Sequence, residues 1–126
     1  MTSTRNILLA LAALSGLTAV GAGAFAAHGL SDPQAKEWFK TGVSYQMWHA
    51  LAVYASIATL QRPSRAAILA PVLFLGGSAV FSASLYAVAL NGPRWLGAVT
   101  PLGGLCLIAG WATLACNAFR STDNGL

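Results

Sequence analysis

The chain has 126 residues, 56% of them apolar and 8% charged, with seven Lys or Arg against three Asp or Glu. A soluble domain carries roughly 25% charged residues, and so few charges cannot cover a water-exposed surface of this size. With a mean hydropathy of +0.65, the composition excludes a soluble globule, a disordered chain, a collagen and a disulfide scaffold, and leaves a one-domain integral membrane protein.

The first apolar run, Ile7 to Ala27, contains no charge and is long enough to cross about 30 Å of hydrocarbon as a helix. A secretory leader competes for this stretch, since Arg5 precedes it and Ala24-Phe25-Ala26 resembles a cleavage site. It is read as a span, because removal would strip a whole helix from a small bundle. Ser31 to Gly42 follows, the most charged stretch. Asp32-Pro33 reads as an N-cap with proline at the first helical position. Lys36, Glu37 and Lys40 alternate there with Trp38 and Phe39, which suits a short helix lying at the lipid–water interface.

The second span runs from about Val43 to Leu60 and ends in the basic loop Gln61-Arg62-Pro63-Ser64-Arg65. The third runs from about Ala66 to Leu90, stopped by the turn signal Asn91-Gly92-Pro93-Arg94. The fourth covers about Leu96 to Phe119, its first turn disturbed by Thr100-Pro101. The expected fold is all-α, an antiparallel four-helix membrane bundle with an interfacial helix between spans one and two. Arg5, Arg62, Arg65 and Arg120 then flank one side, and Lys36, Lys40 and Arg94 the other. The positive-inside rule places both termini in the cytoplasm.

Lipid offers no hydrophobic drive between helices, so small residues and interhelical hydrogen bonds must join the spans. Each span carries such a stripe at helical spacing. In the first it is Ala12, Gly16, Ala19, Gly23 and Ala26; in the second, Tyr45, His49, Ala52, Ser56 and Thr59. In the third it is Ser78, Ser82 and Tyr86, flanked by Ala79, Ala83 and Ala87; in the fourth, Gly103, Cys106, Gly110, Thr113 and Asn117. Cys106 and Cys116 stand ten helical residues apart, about 15 Å, too far for a disulfide between them.

The segments Gly23 to Leu30, Trp38 to Ala52, Phe81 to Tyr86, Leu96 to Gly104 and Gly110-Trp111 together resemble domain-of-unknown-function family 423. The resemblance covers nearly the whole chain, about Ile7 to Ala115, and is most specific from Tyr45 to His49 and at Thr100-Pro101. The chain departs from the pattern at Ala26 and Ala83, where Gly is expected, and at Trp48, where Tyr or Phe is usual. The resemblance implies a four-span protein of bacterial inner membranes with relatives in animals. It implies no activity and supplies no catalytic residue.

The polar residues suggest one site. Ionisable groups inside a membrane are costly and often functional, and His28, Tyr45, Gln46, His49, Ser82 and Tyr86 are expected to gather near the outer end. They form either a pocket for a lipid headgroup, a quinone head or a small polar solute, or an interhelical hydrogen-bond clamp with neutral histidines. A metal site from His28, Asp32 and His49, or a haem between the two histidines, is the weaker alternative, and no cofactor is assigned. No carboxylate lies within a span and no nucleophile–base set is visible, so an enzyme is not expected. The basic residues form no stripe, so neither is a nucleic-acid partner. The expected function is a non-enzymatic accessory or scaffold protein that binds membrane lipid, a membrane-protein partner or a second copy. A small-solute carrier or channel working as an oligomer is the alternative, and haem or quinone binding the third.

Overall fold

The structure is a computed structural model and describes residues 2–59 and 65–125. Its regular elements are α1 (Thr2–Gly29), α2 (Pro33–Ala58), α3 (Arg65–Ala89) and α4 (Thr100–Gly125), with a 3₁₀ turn at Arg94–Ala98 leading into α4. No strand is present among the described residues. The expected end of the second span at Leu60, and residues 61–64 of the basic loop, lie outside them.

Three stretches, Ser3–Gly29, Arg65–Ala89 and Arg94–Arg120, are long and apolar enough to cross a membrane. α2 is not among them, because Tyr45, Gln46, His49 and Tyr54 interrupt its second half. Those residues are tolerable where they stand, since α2 packs on both α1 and α3 and most of their polar atoms face protein.

The helix ends follow local chemistry. Asp32 caps α2, its carboxylate accepting the Ala35 amide at 3.3 Å, and Pro33 sits in the first turn. No separate interfacial helix exists: the chain is helical without a break from Pro33 to Ala58, so the charged stretch forms the opening turns of α2. Nothing at residues 40–43 can stop a helix, and Gly42 is buried within it. α3 closes on a left-handed Asn91 (φ 66°), with the Gly92 amide donating to Ala87 O at 2.7 Å and the Asn91 amide to Val88 O at 3.2 Å. This is the paired 6→1 and 5→2 closure that satisfies the last carbonyls. Thr100-Pro101 opens α4, since proline is at home in a first turn.

Packing follows the chain order, α1 on α2, α2 on α3 and α3 on α4, and α1 touches α3 only sparsely. On α1 the small stripe is the contact face: Ala12, Ala19 and Ala26 are fully buried, and a Cβ on Gly23 would meet Val43 at 3.4 Å. Residues early in α1 face residues late in α2, as Leu9 with Tyr54 and Phe25 with Phe39. The tightest seam joins α3 to α4. A Cβ on Gly103 would lie 2.5 Å from Phe81 N, and one on Gly77 3.0 Å from Gly103 O. Ser84 and Thr100 share a 2.6 Å hydrogen bond at the upper end of that seam.

Candidate functional site

The six candidate residues divide into two groups and an outlier. Gln46, Ser82 and Tyr86 come together between α1, α2 and α3. The Gln46 amide nitrogen donates to Ser15 O at 2.8 Å and Thr18 Oγ1 at 2.6 Å, and its oxygen accepts from the Tyr86 hydroxyl at 2.7 Å. One side chain therefore ties α2 to both neighbours. Ser82, fully buried, donates to Gly42 O at 2.7 Å. The Tyr86 ring lies over Gly42, where a Cβ would stand 2.6 Å from its edge, and packs at a tilt against Phe39 with ring centres 4.4 Å apart.

Beside this clamp opens a groove of about 760 Å³, with α1 and α3 as walls and Gln46 in its floor. Leu11, Leu14, Thr18 and Ala22 form the α1 wall, and Gly76, Ala79 and Ala83 the small-residue wall of α3. No Asp, Glu, Lys, Arg or His lines it.

Tyr45 and His49 turn to a different place, the junction of α2, α3 and α4. His49 is buried. Its Nδ1 lies 2.6 Å from Tyr45 O, and the Trp111 Nε1–H donates to its Nε2 at 3.1 Å. Indole is a donor only, so this pair of bonds requires the neutral ring with its proton on Nδ1. Phe74 lies 5.6 Å from the His49 ring and 4.9 Å from Trp111, and the Tyr45 ring stacks over His49 at 5.9 Å and meets Phe81 at 4.5 Å.

His28 joins neither group. It is exposed near the end of α1, and its ring has no hydrogen-bond partner among the described residues. Contacts such as Gly16 with Met47 and Ser15 with Gln46 set the register, and by it His49 stands opposite the middle of α1. It lies about 20 Å below His28 along the axis. The expectation of one outer-end site with both histidines is thus corrected. α2 starts at Pro33, so His49 sits roughly four turns in, not at the mouth. The two rings cannot share a haem, and the Nε2 lone pair of His49 already serves Trp111. Among the described residues no three His, Cys, Asp or Glu side chains converge.

Ser15, Thr18 and Trp111 were not anticipated as partners. Trp111 had a readable signal, since an indole N–H within a membrane span needs an acceptor. Thr18 had only its place one turn beyond Ser15.

The profile of the family described as "Protein of unknown function (DUF423)" matches residues 22–104. A UPF0382 membrane protein of Haemophilus influenzae is 42% identical over 93% of this chain and 97% of its own length. The UPF0382 inner membrane protein YgdD of Escherichia coli K12 is 37% identical over 98% of this chain and 97% of its own. A UPF0382 membrane protein of Staphylococcus haemolyticus is 41% identical over 91% and 97%. No solved structure matches the chain.

Proposed function

The chain belongs to the DUF423 family of membrane proteins, and on that footing we propose that it is a non-enzymatic accessory or scaffold protein of the bacterial inner membrane. It binds a lipid or a membrane partner through the side-opening groove between α1 and α3. The helices form an antiparallel four-span bundle. In it, α2 crosses from about Lys40 downward and its first two turns rise above the hydrocarbon. Arg5, Arg65 and Arg120 then mark one surface, and Lys40 and Arg94 the other. By charge bias the termini are cytoplasmic.

The observation that supports binding is the groove itself. The Gln46 clamp holds α1 and α3 to a common helix while leaving a hollow between them, where close packing would otherwise be expected of small residues. Isolated gently in a non-denaturing detergent, the protein should carry a lipid or a membrane protein in stoichiometric amount. A chain that emerges bare, and stays bare when membrane extract is returned to it, overturns the reading.

A further inference from the structure

We propose that the α1–α3 groove seats one acyl chain of an anionic phospholipid, entering sideways from the bilayer. This rests on the groove being the binding face and names its occupant.

The chemistry of the lining selects an apolar guest. Both N–H groups of Gln46 are used, the Tyr86 hydroxyl donates to Gln46, and Ser82 donates to Gly42 O. Among the described residues, no buried side-chain nitrogen or oxygen lacks a partner. Of the polar side chains in the lining only Ser15 makes no hydrogen bond of its own among the described residues, so a headgroup or a solute that needs several finds little on offer, whereas a hydrocarbon chain needs none.

The dimensions agree. From Leu11 to Ala22 the groove follows α1 for about 17 Å, close to one leaflet of a hydrocarbon core about 30 Å thick. Packed clusters lie beyond its two ends: Leu8 shares one with Ala70 and Phe74, and Ala26 one with Phe39 and Ala89. The groove opens sideways between them, which suits a seat and not a conduit.

The charge above it matches a phospholipid. By the register of α1 on α2, Lys40 stands opposite about residue 24 and Lys36 about one turn higher, just above the top of the groove at Ala22. Trp38 is exposed at the same height, where aromatic rings meet headgroups. Arg94 belongs to the same end. Three cations, Lys36, Lys40 and Arg94, stand at this end against two carboxylates, Asp32 and Glu37, which leaves it net positive.

Gly76 supplies the test, because a Cβ there meets nothing within 4 Å and a larger side chain fills the groove without displacing protein. Gly21 has the same open space but does not line the groove, and serves as the matched control. Wild type, Gly76→Leu, Gly21→Leu and the double variant Lys36→Gln/Lys40→Gln are titrated with phosphatidylglycerol or phosphatidylcholine. Native mass spectrometry counts bound lipid and thermal unfolding verifies the fold. Wild type and Gly21→Leu should each hold one phosphatidylglycerol, and Gly76→Leu should bind at least tenfold less with its unfolding temperature undiminished. The double lysine variant should retain a lipid but lose the preference for phosphatidylglycerol. Equal binding by Gly76→Leu and wild type overturns the seat. If instead the Ala79→Cys variant crosslinks through that position to a second copy or another protein while no lipid is retained, the acyl chain is wrong and the broader binding reading survives. No lipid and no crosslink removes both.

Discussion

Gly76 and Gly77 are neighbours on α3 with opposite fates. A Cβ on Gly77 would press on Leu107, Cys106 and the Gly103 carbonyl within 3.0 Å, whereas one on Gly76 would meet nothing within 4 Å. One step of about 100° around the helix separates a glycine pressed into the α3–α4 seam from one that faces the open groove. Small residues permit helices to approach, but a matching small residue opposite makes them do so. Gly77 faces Gly103, while Gly76, Ala79 and Ala83 face the Leu11 and Leu14 side of α1, held off by the clamp. The α3–α4 side is therefore structural and the α1–α3 side is available.

The largest effect should come from attacking the seam. In Gly103→Leu the new side chain runs into the backbone of α3 at Phe81. Backbone cannot rotate away, so the helices must separate. Overpacking costs about 1–3 kcal/mol where side chains can adjust, and about 3 kcal/mol or more is expected here, seen as a much earlier unfolding transition in detergent. A Gly103→Leu protein as stable as wild type would show that the seam is loose and dissolve the contrast with Gly76.

The next effect sharpens the contrast from the other side of α2. His49→Ala removes the acceptor of the Trp111 N–H and opens a hole among Tyr45, Phe74 and Trp111. Interhelical hydrogen bonds in membranes average about 0.6 kcal/mol, and truncation of a well-packed ring adds a cavity term. A loss of about 2 kcal/mol is expected. Trp111→Phe, which keeps much of the packing and deletes only the bond, should lose about 0.6 kcal/mol. If His49→Ala were silent in a denaturant titration while it abolished lipid retention, His49 would be serving the groove and the two sites would be one.

What the sequence disclosed follows from how local each feature is. The Asp32 cap and the Asn91-Gly92 closure depend on a few adjacent residues and were readable, as was the Ala12, Ala19, Ala26 face. The interfacial helix was misread because charge marks where water begins and says nothing about where a helix ends; only a breaker does, and none lies before Val43. The site was half legible. Gln46, Ser82 and Tyr86 were expected together and meet. His49 was assigned to them because polar residues on one helix look alike in sequence, whereas rotation about α2 sends Gln46 toward α1 and His49 toward α4. That rotation, and hence the partnership with Trp111, is set by packing between helices distant in sequence. So is the groove, which exists because a particular pair of helices fails to close.

The smallest effect tests whether α1 is held by its clamp or by its whole length. Below Gln46, among the described residues, the polar tie between α1 and α2 is the Tyr54 hydroxyl, which donates to Leu9 O at 3.0 Å. Tyr54 is 44% exposed, and the Leu9 carbonyl lies inside a helix where its main-chain bond persists without it. Tyr54→Phe keeps the ring and deletes that one bond, so a loss of about 0.6 kcal/mol or less is expected, with lipid retention unchanged. A larger loss, or a change in the groove's capacity, would mean that α1 pivots on its lower end. The width of the gap would then depend on two anchors, and the open side of α3 would be adjustable, unlike the glycine seam on its other face.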